Sequence, residues 1–159
     1  MRRSERQVTD LDAIRDLLAQ GQTLHLALNA EGAPYVVPLN YGFSLAADGG
    51  LTLYLHSALQ GRKLDLLRRD ARVGFAISAL LETVRGEIPC AWTARYRSLV
   101  GTGRVSVLTD PEEQRLALEA LLQHMGFSGR AEIPAASLER VAVLRIDVES
   151  YTCKSNVPR

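Results

Sequence analysis

Leu51-Thr-Leu-Tyr-Leu-His-Ser-Ala-Leu-Gln-Gly-Arg-Lys63 changes its period halfway along. Leu51, Leu53 and Leu55 alternate with Thr52, Tyr54 and His56, the two-residue period of a strand with one buried face. Past His56 the alternation stops, and residues 61–69 set Leu64, Leu66 and Leu67 among charges, which predicts a short helix. Immediately upstream, Asp48-Gly-Gly50 is a tight turn, and residues 34–43 read as the strand before it. Pro38 lies inside that strand and cannot donate to a ladder, so an edge, a bulge or an unpaired segment is expected there. Ala30-Glu-Gly-Ala33 turns the chain back to residues 23–29, where Leu24, Leu26 and Leu28 share one face and His25 the other.

The two ends of the chain extend this pattern. Thr9-Asp-Leu-Asp12 has the form of an N-cap with an acid three residues on, and Leu11, Ile14, Leu17 and Leu18 continue at helical spacing until Gly21, giving a helix over roughly 10–20. Downstream, Val73, Phe75 and Ile77 mark a strand over residues 72–78. Residues 80–90 show no period and read as a loop, and residues 94–108 form a long strand pattern whose Gly101 and Gly103 suggest a bend or bulge. Asp110-Pro-Glu-Glu113 opens a helix that runs through Leu116, Leu118, Leu121, Leu122 and Met125 to Gly126. Residues 127–140 are mixed, 141–149 read as a last strand, and the tail is short and polar. The total is about six strands in consecutive hairpins with three helices. That predicts a mainly β fold, an antiparallel barrel with flanking helices, rather than a doubly wound parallel sheet.

With 159 residues, 47% hydrophobic and 23% charged, the chain is expected to form a single domain over 1–159. A net charge of +1 gives no overall attraction to nucleic acid or anionic membrane. Cys90 and Cys153 are far apart and fit neither a disulfide framework nor a zinc site. The basic start lacks an apolar core behind it, and no apolar stretch reaches the roughly 18 residues of a membrane span, so a cytoplasmic location is the expectation.

The sequence contains no Gly-x-Ser-x-Gly, no phosphate-loop motif and no His-Glu-x-x-His, and Gly101-Thr-Gly-Arg104 lacks the third glycine and following helix of a dinucleotide fingerprint. Two segments carry candidate chemistry. In residues 54–63 a strand runs through a polar loop into a helix start, where free N–H groups, Ser57, Arg62 and Lys63 can cradle a monophosphate. The alternative is a solvated loop with two surface cations. The second segment, Arg95-Tyr-Arg-Ser-Leu-Val-Gly-Thr-Gly-Arg104, opens a strand with four polar or aromatic residues. That face is either a binding wall or a strand side turned to water, with Tyr96 and Trp92 capping the barrel end.

These residues resemble the pyridoxamine-5′-phosphate-oxidase-like flavin-binding family, and within it the nitroimidazole-resistance branch. The resemblance starts at Arg2-Arg3-Ser-Glu-Arg6, passes through Pro34-Tyr-Val-Val-Pro-Leu-Asn-Tyr41, Leu53-Tyr-Leu-His-Ser-Ala58 with Gly61-Arg-Lys63 and Tyr96-Arg-Ser-Leu-Val-Gly101, and ends at Lys154-Ser155. It implies a split β-barrel homodimer with FMN at the subunit interface. By the same resemblance the backbone of Val37, Pro38, Leu39 and Asn40 runs beside the flavin ring, and His56, Ser57, Arg62 and Lys63 hold the ribityl chain and phosphate. Tyr96, Arg97 and Ser98 then line the same cleft. The functional histidine of the nitroimidazole branch falls on His56, and His25 and His124 are read as structural.

One departure bears on activity. True pyridoxamine-phosphate oxidases end in an Arg-Leu-x-Pro type motif, and this chain ends Tyr151-Thr-Cys-Lys-Ser-Asn-Val-Pro-Arg159. The expected activity is therefore that of an FMN-dependent, nitroreductase-like oxidoreductase acting on a small electron-poor acceptor. The alternatives are a flavin carrier or sensor without turnover, and a haem-binding variant of the same barrel.

Overall fold

The computed structural model describes residues 4–129 and 131–157. Arg2 and Arg3 of the N-terminal motif, and Pro158 and Arg159 of the tail, lie outside the described residues. The elements are β1 (Gln7–Val8), α1 (Leu11–Gln20), β2 (Leu24–Leu28), β3 (Tyr35–Leu39), β4 (Gly42–Leu45), β5 (Leu51–Ser57), α2 (Arg62–Arg69), β6 (Arg72–Val84), β7 (Thr93–Val107), α3 (Pro111–His124), α4 (Ala135–Leu138) and β8 (Ala142–Ser155). No helix among them is long and apolar enough to cross a membrane.

All strands pair antiparallel in one eight-stranded sheet of order β3-β2-β6-β7-β8-β5-β4, with β1 added beside β8. The outermost strands of this path, β3 and β4, are separated in sequence by only Asn40 and Tyr41. The sheet must therefore curl until its two edges nearly meet, although β3 and β4 do not hydrogen-bond to each other. This is a split barrel, mainly β with flanking helices. Its interior is lined by Leu24, Leu26, Leu53, Leu55, Ile77, Leu99, Leu144 and Ile146, all fully buried, and Leu17 and Leu18 of α1 pack into it. The leucine alternation of residues 51–55 supplies one wall of that core.

The single strand expected over residues 34–43 is two strands. β3 pairs only with β2, with Pro38 opposite His25, which makes β3 an edge strand and explains why a proline is tolerated. β4 pairs only with β5. Between them Tyr41 is fully buried, and its hydroxyl lies 2.7 Å from the Leu18 carbonyl and 2.9 Å from that of Gly21, which ties the crossover to the end of α1. His124 packs on the Tyr41 ring at 4.3 Å and places Nε2 3.0 Å from the same Leu18 carbonyl, a structural role as expected.

Three boundaries differ from the sequence expectation. Residues 80–84 belong to β6 rather than to a loop, and they pair only with β7 in an arm beyond the rest of the sheet. A bulge between Leu80 and Glu82 shifts the side-chain alternation, which is why no period was visible. β8 continues through residues 150–155 of the polar tail, because β7 and β1 offer it ladders on both sides. The mixed segment contains the short α4.

Gly42 is where α3 lies closest to the sheet. A β-carbon there would sit 2.6 Å from the Ala120 carbonyl carbon and closer still to the Leu121 amide nitrogen, both backbone atoms of α3. Gly42→Ala should therefore destabilise the fold by roughly 1–3 kcal/mol through overpacking. Urea denaturation measures this, and an unchanged midpoint with an unchanged slope would contradict the packing described.

Candidate functional site

β5 ends at Ser57, and residues 58–61 lead directly into α2. Leu64, Leu66 and Leu67 bury the inner face of α2 and fix its start beside the barrel. Gly61 occupies the N-cap with φ 130°, a conformation that L side chains rarely adopt, and no side chain caps the helix. The first amides of α2 are left for another acceptor. The outer edge of β3 faces this start, and Tyr35, Val37, Pro38 and Leu39 form the second wall of an open pocket of about 350 Å³. Ser57, Arg62 and Lys63 line the first wall.

The electrostatics favour an anion. The Arg62 guanidinium stacks over the Tyr35 ring at 4.6 Å. Lys63 is half-buried, and its burial pulls the ammonium pKa below the ordinary lysine value. Among the described residues neither cation has a carboxylate within ion-pair distance. A desolvated ammonium beside an uncapped helix start lacks its counter-charge, and a phosphate supplies one.

Six of the residues singled out from the sequence thus meet at one pocket: Val37, Pro38, Leu39, Ser57, Arg62 and Lys63. Asn40 follows β3 at the crossover, exposed, with its amide 4.0 Å from the Met125 sulfur. His56 is exposed and points outward from β5, opposite the buried leucines, beside the pocket rather than in its lining. Tyr96 and Ser98 lie on the outer face of β7, and Arg97 alternates to the inner face with Leu99. Within one chain none of these three reaches the α2 pocket. Tyr35 and Gly61 were not singled out as site residues. The sequence signal for the open helix start is the lone glycine before Arg62, which the structure places at positive φ.

A second feature adjoins the pocket. Cross-strand rows Pro38–His25–Ala76–Val100–Thr152 and Val36–Ala27–Gly74–Thr102–Ser150 run over the outer face of five strands. The side chains are mostly small, and Val36 and Val100 are 53% and 54% exposed.

The site is thus a half-buried cation at an open helix start beside the edge strand of a split barrel. The sequence pattern of the pyridoxamine 5′-phosphate oxidase family matches residues 10–155, and the chain belongs to that family. The fold is similar to that of a candidate 5-nitroimidazole antibiotic resistance protein from Bacteroides thetaiotaomicron, 28% identical, with a TM-score of 0.80 over 94% of this chain and 86% of that one. It is also similar to an FAD- and haem-binding protein from Mycobacterium smegmatis, 23% identical, with a TM-score of 0.78 over 96% of this chain and 74% of the other. A flavocytochrome from Azotobacter vinelandii shares the fold at 18% identity, with a TM-score of 0.76 over 99% and 72% of the two chains. No curated protein matches the sequence.

Proposed function

We propose that this protein is an FMN-binding oxidoreductase that reduces a small electron-poor acceptor, such as a nitro compound, and that it works as a homodimer. The observation that carries the reading is Lys63, half-buried without a carboxylate partner at the uncapped start of α2, facing the free edge of β3. Bound FMN would supply the electron-transfer chemistry. The chain's own groups bind and orient it. Lys63, Arg62, the α2 amides and the Ser57 hydroxyl hold the phosphate, and the Val37–Asn40 backbone runs beside the ring. His56, outward on the adjacent strand, delivers a proton to the acceptor. The likeness to the candidate 5-nitroimidazole antibiotic resistance protein, at 28% identity, supports the choice of acceptor.

The bare outer face supports the dimer. An uncharged run of small side chains suits sheet-on-sheet packing of two copies, and this face begins at Pro38, on the pocket wall. The same face carries Ser98 and Tyr96, so a partner subunit seated on it brings those side chains toward the cleft. Val100→Asp places a charge in the middle of the face. It should convert the dimer to a monomer and release flavin with it, as measured by size-exclusion chromatography with light scattering. A Val100→Asp protein that stays dimeric and flavin-loaded would contradict this interface.

Turnover is tested by photoreducing the purified flavin-loaded protein without oxygen and mixing it with a nitroimidazole. Rapid reoxidation with loss of the nitro absorbance is expected. A reduced protein that persists in the presence of nitroimidazole would make the chain a flavin carrier instead.

A further inference from the structure

The β3 wall of the pocket ends at Leu39, and the side chain of the next residue, Asn40, turns toward the end of α3. The register of β4 against β5 pairs Gly42 with Tyr54. Carried two residues further, it brings Asn40 level with His56, on the outer face that Gly42 and Tyr54 share. The Asn40 amide nitrogen lies 4.0 Å from the Met125 sulfur. The backbone of Leu121 lies against Gly42, and Met125 follows Leu121 by four residues, so α3 runs along β4 toward Asn40.

The end of α3 is closed on itself. The amides of Met125, Gly126 and Phe127 donate to the carbonyls of Leu121, Gln123 and Leu122, each at 3.0 Å, and Gly126 takes φ 94°. This closure fixes the backbone of Met125 and Phe127, yet their side chains are 58% and 46% exposed. Residues 123–129 contain no carboxylate, lysine or arginine, and the ring of His124 is committed to Tyr41 and the Leu18 carbonyl. The N–H donors of Asn40 face only a thioether, a weak acceptor. A polarisable sulfur, a phenyl ring and a donor without a strong acceptor suit a neutral aromatic guest that carries an acceptor oxygen.

We propose that Met125 and Phe127 form the wall that selects the acceptor, favouring neutral, electron-poor aromatic rings, with the Asn40 amide donating to a nitro oxygen and His56 alongside. The proposal rests on the oxidoreductase reading above and adds two residues that determine its specificity. Neither Met125 nor Phe127 lines the phosphate pocket, so substituting them should leave FMN in place.

The chain has two methionines, Met1 and Met125, so isotopic labelling of the methionine methyl groups makes Met125 the one internal NMR signal. Titrating 5-nitroimidazole into the oxidised, FMN-loaded protein should shift that signal saturably. Phe127→Ala should raise the Kd by about 2- to 12-fold, the loss of one aromatic pair, with FMN content and dimer state unchanged, and Phe127→Trp should restore it. In turnover the same loss should appear in KM and not in kcat, because the contact is made equally before and during the reaction. A saturable shift in a protein that never reduces the nitroimidazole would support the site and reject the oxidoreductase reading. No saturable shift at Met125, or an unchanged Kd in Phe127→Ala, would overturn the proposal. So would a Phe127→Ala protein that loses FMN or falls to a monomer, because Phe127 would then belong to the flavin cleft or to the subunit interface.

Discussion

Replacing His56 with alanine is expected to slow nitroimidazole reduction by the flavin-loaded protein by about 10²–10⁴-fold while leaving fold and flavin affinity nearly intact. Three observations lead to this. His56 is the last outward residue of β5 before the loop that starts the phosphate pocket. It is exposed, and no hydrogen bond or ion pair among the described residues commits its ring to the structure. Nitro reduction consumes protons, and histidine is the side chain that exchanges them near neutral pH. Because Ser57 and not His56 lines the pocket, the substitution spares the phosphate contacts. Stopped-flow mixing of photoreduced protein with a nitroimidazole measures the rate. A His56→Ala protein saturated with FMN that reacts at the wild-type rate would remove His56 from catalysis, and parallel loss of rate and FMN affinity would make it a flavin contact.

Lys63→Ala is expected to weaken FMN by about 10- to 150-fold, corresponding to roughly 1.5–3 kcal/mol for a charge-assisted hydrogen bond, and to leave riboflavin affinity almost unchanged. The contrast arises because riboflavin lacks the phosphate. Lys63 is the half-buried cation of the pocket and has no protein carboxylate to satisfy it, whereas Arg62 is already stacked on Tyr35. Burial disfavours the protonated ammonium in the free protein, and a bound phosphate restores it. Fluorescence titration of the apoprotein with each ligand makes the comparison. Equal losses for both would show that Lys63 does not contact the phosphate.

The legible parts of the fold were those where a regular period met a buried face. Leu51, Leu53 and Leu55 announced β5, and the Asp110-Pro-Glu-Glu113 cap announced α3, where the Asp110 carboxylate accepts from the amides of Glu112 and Glu113. Periodicity failed where a bulge shifts the face of the strand, at Leu80/Glu82 in β6, whereas the bend expected from Gly101 and Gly103 falls at the register shift between Thr102 and Gly103 against β8. It also missed the split of residues 34–43, since hydrophobic alternation does not reveal that a strand changes partners at Asn40 and Tyr41. Pro38 did signal the edge. At the site, Ser57, Arg62 and Lys63 were legible as a local run into a helix start, and Val37, Pro38 and Leu39 meet them only through the curl of the sheet. Arg97 shows the limit of sequence proximity: one residue from Ser98, it emerges on the opposite face of β7 and into a different pocket.

The visible absorption spectrum of the purified protein, taken as isolated and again after addition of FMN and removal of excess ligand, tests FMN binding by this barrel. A retained flavin spectrum at one FMN per chain is expected, weakened in Lys63→Ala as its FMN affinity falls. A haem spectrum, or a protein that stays colourless after incubation with FMN, would contradict it.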